Sequence, residues 1–396
     1  MYNTTLEILY NQCPRLHSLT IHYDEDMEVI WRMRLNSRFR DGFHESQPIF
    51  SQKDLSSFSN LSTLEVTNLY GDIQALRSNL VQVLIRSPNL RTLGLSLSIS
   101  TTQRLRGGGS VDDIQQYVGF MNLLCEDFVT SGVEPLKLRK LTLGLSVVAF
   151  GQGHHLTGLT DLKHLEDVYV YNEDPGDVFP YSEYEHAMTW IFTPENCPNL
   201  TKFGIYRYTE PVKQWVNCFG RGYIRQFNTE YASEEELCAI QWDLEDTRVG
   251  LRSTLTSLTA NIDLTMDEWE LETLPAIDVM HLQALSAVTM HETIEHQEDI
   301  LVWLGKATNL QQLFLAERSI PNIPCNATEQ PIENGFEQKL ALLCQKLEYL
   351  RLNQNAWRIW RSETADKVEI HFERLDRFEA RSIEVFQPRI IFRDDW

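Results

Sequence analysis

Apolar residues along this chain keep returning in one short phrase. It runs leucine, two mostly polar residues, an apolar residue, one polar or small residue, and a third apolar residue. The clearest instance is S-P-N-L-R-T-L-G-L-S-L-S-I at residues 87–99, with Leu90, Leu93 and Leu95 in the three places. A spacing of two predicts a strand with one buried face, and the spacing of three before it predicts a turn leading in. Just upstream, Leu80-Val-Gln-Val-Leu-Ile-Arg86 spaces its apolar residues like one face of a helix. The local prediction is therefore helix, turn, strand.

The phrase occurs eleven times, opening at Leu16, Leu61, Leu90, Leu138, Leu165, Leu200, Leu255, Leu285, Leu310, Leu347 and, in degenerate form, Leu375. For the copy at Leu285 the predicted strand residues are Val288 and Met290. Openings lie as little as 25 residues apart (Leu285 to Leu310) and as much as 55 (Leu200 to Leu255). The short spacings suit a unit of one strand and one helix. The long ones suit the same unit with insertions, near 22–57, 97–136, 171–190, 206–254 and 319–334. Within them, residues 114–128 read as a helix, and Trp215, Phe219, Tyr223 and Phe227 as a loop folding back. The expected fold is a single α/β solenoid over residues 1–396, each unit burying its apolar face only against its neighbours. It is expected to be curved, with parallel strands on the concave face and helices on the convex face.

Composition narrows the role more than the fold. Hydrophobic residues make up 42% of the 396, ample for a core. No apolar run reaches about 18 residues, so no membrane span is expected. The first residues lack the basic then apolar character of a secretory signal. Seven cysteines are dispersed with no C-x-x-C pair. That pattern, with no signal, points to a cytoplasmic or nuclear protein. Cys13, Cys197 and Cys344 each stand where a helix turns into a strand and read as small buried thiols. A net charge of −21 disfavours nucleic acid, whose phosphates call for clustered Lys and Arg, and is compatible with a basic protein partner. Leu6-Glu-Ile-Leu-Tyr-Asn-Gln-Cys13 reads as a helix tail, so the chain is expected to be a fragment of something longer or to have a partner over that end.

Candidate chemistry is thin. Arg104-Leu-Arg-Gly-Gly-Gly-Ser110 lacks the Gly-Lys-Ser/Thr of a phosphate loop, and His154-His155 has no third ligand at useful spacing. His291-Glu-Thr-Ile-Glu-His296 places its histidines five apart, where a helical zinc site needs four. No cofactor, metal site or enzymatic activity is expected. A site assembled from loops stays a minor alternative, because catalytic sets are defined in space. Between the leucines, side chains point outward from the strands. There Tyr169, Tyr171 and Tyr206 form one candidate protein-binding patch, and Phe314, Arg351 and His291 a second. Clustered aromatics suit contacts because they give area with little rotamer entropy. An insertion folding over that face would bury either patch. Residues 31–40, basic in an acidic chain, read as an amphipathic helix or a docking segment.

Cys13-Pro-Arg-Leu16, Ser87-Pro-Asn-Leu-Arg-Thr-Leu93 and Cys197-Pro-Asn-Leu-Thr-Lys-Phe203 resemble leucine-rich repeats of the ribonuclease-inhibitor type. The irregular spacing resembles the repeat arrays of fungal F-box proteins over nearly the whole chain. That resemblance implies a non-catalytic protein-binding solenoid, the substrate-recognition part of an F-box-type ubiquitin ligase receptor. In that family an N-terminal F-box docks on the Skp1 adaptor of a cullin ligase, and the repeats capture the protein to be ubiquitylated. No Leu-Pro-x-Glu box precedes Leu6, so a Skp1-type adaptor is expected only if an F-box lies upstream. The alternative is a stand-alone interaction or regulatory scaffold unrelated to ubiquitin.

Overall fold

The computed structural model describes residues 16–22, 55–69, 73–97, 120–144, 155–171, 191–207, 212, 219, 224–231, 256–261, 279–280, 282–289, 297–317, 335–352, 355–364, 367–376, 379–380 and 383. Contacts divide the chain into two units, Met1–Leu200 and Thr201–Trp396. Both are mixed α/β, built on parallel strands.

In the first unit the alternating runs form β1 (Ser18–His22), β2 (Thr63–Leu69), β3 (Thr92–Leu97), β4 (Lys140–Gly144) and β5 (Asp167–Tyr171). They pair in sequence order and in parallel. Leu19 stands opposite Leu64, Leu64 opposite Leu93, Leu93 opposite Leu141, and Leu141 opposite Val168. All five residues are buried. Parallel neighbours need a crossover, and helices lie in three of these connections: α1 (Ile73–Ile85), α2 (Phe120–Thr130) and α3 (His155–Leu159). Helix α1 buries Leu76, Leu80, Val83 and Leu84, a spacing that selects one face. Its Arg77 Nε reaches Asp127 Oδ2 of α2 at 2.7 Å. Helix α2 falls within the expected helical stretch 114–128 and runs two residues past it.

The lead-in turns of β2, β3, β4 and β5 are closed in one way. Two successive N–H groups, just after the first leucine, converge on a single carbonyl in the preceding unit. Ser62 and Thr63 donate to His17 O at 2.7 and 3.1 Å, and Arg91 and Thr92 donate to Ser62 O at 2.8 and 3.1 Å. Arg139 and Lys140 then donate to Arg91 O, and Glu166 and Asp167 to Arg139 O. Ahead of β3 a small residue, Ser87, tightens the turn from three places before the leucine. Ser87 O accepts from Leu90 N–H at 3.0 Å, while Ser87 Oγ accepts from Leu61 N–H at 3.1 Å.

One outward position is set by a missing side chain. A Cβ on Gly94 would come within 2.9 Å of Glu65 Cγ. Glycine there lets Glu65 of β2 lie across β3 and reach Lys140 Nζ of β4 at 3.2 Å.

The second unit repeats the plan with β6 (Lys202–Arg207), β7 (Gln226–Tyr231), β8 (Ser257–Asn261), β9 (Ala284–Thr289), β10 (Gln312–Glu317) and β11 (Tyr349–Leu352), all parallel and in order. Helices α4 (Gln297–Leu304) and α5 (Phe336–Leu343) precede β10 and β11, as the apolar spacing predicts. The same shared-carbonyl bonds run from Thr201 O, which takes Arg225 and Gln226, to Gln311 O, which takes Glu348 and Tyr349. Cys344 holds the place of Ser87: its carbonyl accepts from Leu347 N–H at 2.9 Å and its thiol donates to Leu304 O at 3.4 Å.

Three expectations are corrected here. Strand β7 lies inside what reads as the 206–254 insertion, because Ile224, Phe227 and Thr229 fill the three places without a leucine. Phe227 packs in the strand ladder, its ring 6.2 Å from that of Phe203. The copy at Leu285 is out of register by three residues: Leu285 itself pairs with Leu258 and Leu313, so the unit opens at Leu282. The degenerate copy at Leu375 forms no parallel strand. After β11 the chain instead turns into an antiparallel hairpin, β12 (Asn355–Thr364) and β13 (Lys367–Arg374). It then starts a helical turn whose Asp376 and Glu379 cap one another: Glu379 N–H donates to Asp376 Oδ1 and Asp376 N–H to Glu379 Oε2.

The hairpin also shows which side of the second unit carries α5. Trp357 pairs with Leu350, so Trp357, Ile359 and Arg361 face the leucine side of the sheet. From there the Arg361 guanidinium donates to Ala341 O, Cys344 O and Leu347 O at 2.9, 3.0 and 2.6 Å, closing the C-terminal end of α5.

Candidate contact surface on the C-terminal hairpin

Of the residues singled out from sequence, Phe314 and Arg351 meet. They are register partners on β10 and β11, and the Arg351 guanidinium sits 4.5 Å from the Phe314 ring centre. They are not exposed, however, at 6% and 5% of their free surface. Ala356 stands next in the same row on β12. Ala380 joins it against Phe314, with Leu375 and Ile383 packed around them. The segment following β13 thus covers this part of the outward face. His291 lies outside the described residues, and on β9 it is Ser286 that pairs with Phe314.

Tyr169 is 3% exposed, so the exposure expected of it is corrected as well. Tyr171 and Tyr206 lie in β5 and β6, and their side chains fall outside the described residues. So do residues 31–40, the glycine-rich stretch 104–110, His154 and His296.

An exposed aromatic surface does appear, one the sequence reading missed. On the outward side of β11 and the hairpin, Arg358 lies between two rings, 6.0 Å from the centre of Tyr349 and 3.9 Å from that of Trp360. Across the strand pair, Glu373 Oε2 accepts the Trp360 indole N–H at 2.9 Å. Trp360 keeps 47% of its surface exposed. The ring is thus fixed from two sides while its face meets solvent. That is the arrangement of a contact anchor, since little freedom is left to lose on binding. The alternation Trp357, Ile359 against Val368, Ile370, Phe372 signals the hairpin itself, whose other face carries this contact.

Further along the hairpin, Ser362 Oγ lies 3.1 Å from His371 Nε2, and Glu369 Oε2 lies 4.0 Å from that same nitrogen. A charge-relay set needs the carboxylate on the other ring nitrogen, so these three residues are not so arranged. Among the described residues, no three His, Cys, Asp or Glu side chains gather as a metal site. None of the helices among them is long and apolar enough to cross a membrane. Burial pushes the Cys125 and Cys197 thiols up to about 12. Cys344 is pushed up to about 11 by burial, opposed by the nearby Arg361 charge.

Fold and surface together define a mixed α/β protein whose parallel strands carry leucines in matched register and end in an exposed aromatic hairpin. No protein-family model matches the chain, and no curated protein matches it either.

Proposed function

We propose that this chain is a leucine-rich-repeat solenoid of the ribonuclease-inhibitor type whose work is to hold another protein. The observation that carries this reading is the register. The buried leucines match from strand to strand, so the residues between them form continuous outward rows suited to side-chain recognition. Within that reading the chain is the substrate-recognition part of an F-box-type ubiquitin ligase receptor. A stand-alone scaffold is the competing role. Trp360 and Arg358 are the anchor of the partner contact, because an ordered, half-exposed tryptophan beside an arginine has the composition of a binding hot spot.

The test is affinity purification with mass spectrometry, on the chain as it stands and on its longest transcript product. Recovery of a Skp1-type adaptor with the longer product supports the ligase role; partner recovery without it favours the scaffold. For the surface, Trp360→Ala is expected to weaken capture roughly thirtyfold, the scale of a 2 kcal/mol hot spot. Its melting temperature should hardly move. Unchanged capture would remove Trp360 from the contact.

A further inference from the structure

Strand β13 ends the sheet of the second unit, and among the described residues it pairs only with β12. Leu375 N–H donates to Ala356 O at 2.9 Å. Backbone groups alternate sides along a strand. The N–H and C=O groups of Glu369, His371 and Glu373 therefore turn toward β12, and those of Val368, Ile370 and Phe372 turn to the outer edge. The chain leaving β13 bends back onto Phe314 through Leu375, Ala380 and Ile383, away from that edge. Val368 keeps 50% of its surface exposed, and Glu369, His371 and Glu373 are exposed too. An open edge is a template for another strand. Its side chains decide which.

The order along 367–373 is K-V-E-I-H-F-E, and it complements itself when paired antiparallel about Ile370. Lys367 then stands opposite Glu373 of the second copy, Glu369 opposite His371, Val368 opposite Phe372, and Ile370 opposite itself. Residues 368, 370 and 372 meet 372, 370 and 368, so the outward backbone groups close an antiparallel ladder. Neighbouring registers fail. Centring on Glu369 sets that carboxylate against itself and Lys367 against His371. Centring on His371 sets Glu369 against Glu373. Opposite charges directly across a strand pair attract and like charges repel, so one register is selected.

The geometry points to β13 as the contact of a two-fold dimer of this chain, joined edge to edge about Ile370. The arrangement is isologous, the same patch serving both copies, and it adds a strand to a sheet as peptide ligands do. A contact along residues 367–373 is small, so the association is weak and needs a wide concentration range to be seen.

Sedimentation velocity on the full chain tests this. The expected result is a reversible dimer that Lys367→Glu, setting Glu against Glu, weakens by about tenfold. Glu373→Lys, setting Lys against Lys, weakens it similarly. Mixing the two variants should restore association, because each strand then meets the opposite charge at both places. If Glu373→Lys disturbs Trp360, His371→Glu serves instead: alone it sets Glu against Glu, and mixed with Glu369→Lys it meets a lysine, so association should return. The proposal is overturned by a monomer at every concentration, as when the chain's own residues 384–396 occupy the edge. It is equally overturned by a dimer indifferent to these charges, or by a mixture no better than either variant alone.

Discussion

Cys344 packs a great deal into one side chain. It sits 1% exposed at the end of α5, donates a thiol hydrogen bond to Leu304 O, and closes the turn into β11 through its carbonyl. Cys197 holds the matching place ahead of Leu200, and Cys125 is buried in α2. Burial lifts all three thiols well above the usual 9.0, so thiolate, the reactive form, is scarce near neutrality. Iodoacetamide at pH 8 should leave these three unlabelled in the folded protein and label all of them in denaturant, read by peptide mass. A raised folded value also means that the unfolded chain gives up these protons first as pH climbs. The stability they contribute is whole below about pH 9 and is lost as pH rises toward their folded values. Melting temperature should therefore fall between pH 9 and pH 11, and less steeply in Cys197→Ala.

Among the elements, α5 shows how a helix end is completed by a distant strand. Arg361 of β12 donates to Ala341 O in its last turn, to Cys344 O at its cap and to Leu347 O in the turn beyond. A charged donor shared by three acceptors makes Arg361→Ala costly, by about 2 kcal/mol in chemical denaturation. Hydrogen exchange should quicken first in α5. Arg361→Lys should recover only part, because an ammonium cannot span the fork that the guanidinium spans.

The elements also differ in how openly the chain declares them. Leu93 with Leu95, and Leu141 with Leu143, were legible because a parallel strand buried on one face repeats its leucines at a fixed offset. The offset at β9 misled, since Leu282, Leu285 and Val288 offer two overlapping readings three residues apart. Only pairing with Leu258 and Leu313 separates them. Strand β7 was hidden by Ile224 and Thr229 standing where leucines do elsewhere. The hairpin breaks the period altogether, and the contact of Arg358, Trp360 and Glu373 is made across strands, where no local spacing announces it. Tyr169 and Phe314 were placed on the right strands, but burial depends on what lies over them, which the strand's own pattern does not encode.

At the scale of the molecule, charge dominates. With 56 acidic against 35 basic residues, the chain repels itself at neutral pH, and the described ion pairs, such as Lys140–Glu65, offset little of that. Raising ionic strength from 0.01 to 0.15 M shortens the screening length from about 30 to about 8 Å. Melting temperature should rise over that range. A fall would mean that attractive pairs outweigh the repulsion.

Two donors closing on one oxygen have a further effect, on how the chain can change. From β1 to β5, and again from β6 to β11, each repeat measures its position from its immediate predecessor, so the count is reset at each of those steps. Stretches between β1 and β2, or between β7 and β8, can lengthen without sending an error downstream. The protein works as a tape whose marks are set locally, free to acquire new loops between marks while the buried ladder stays in step.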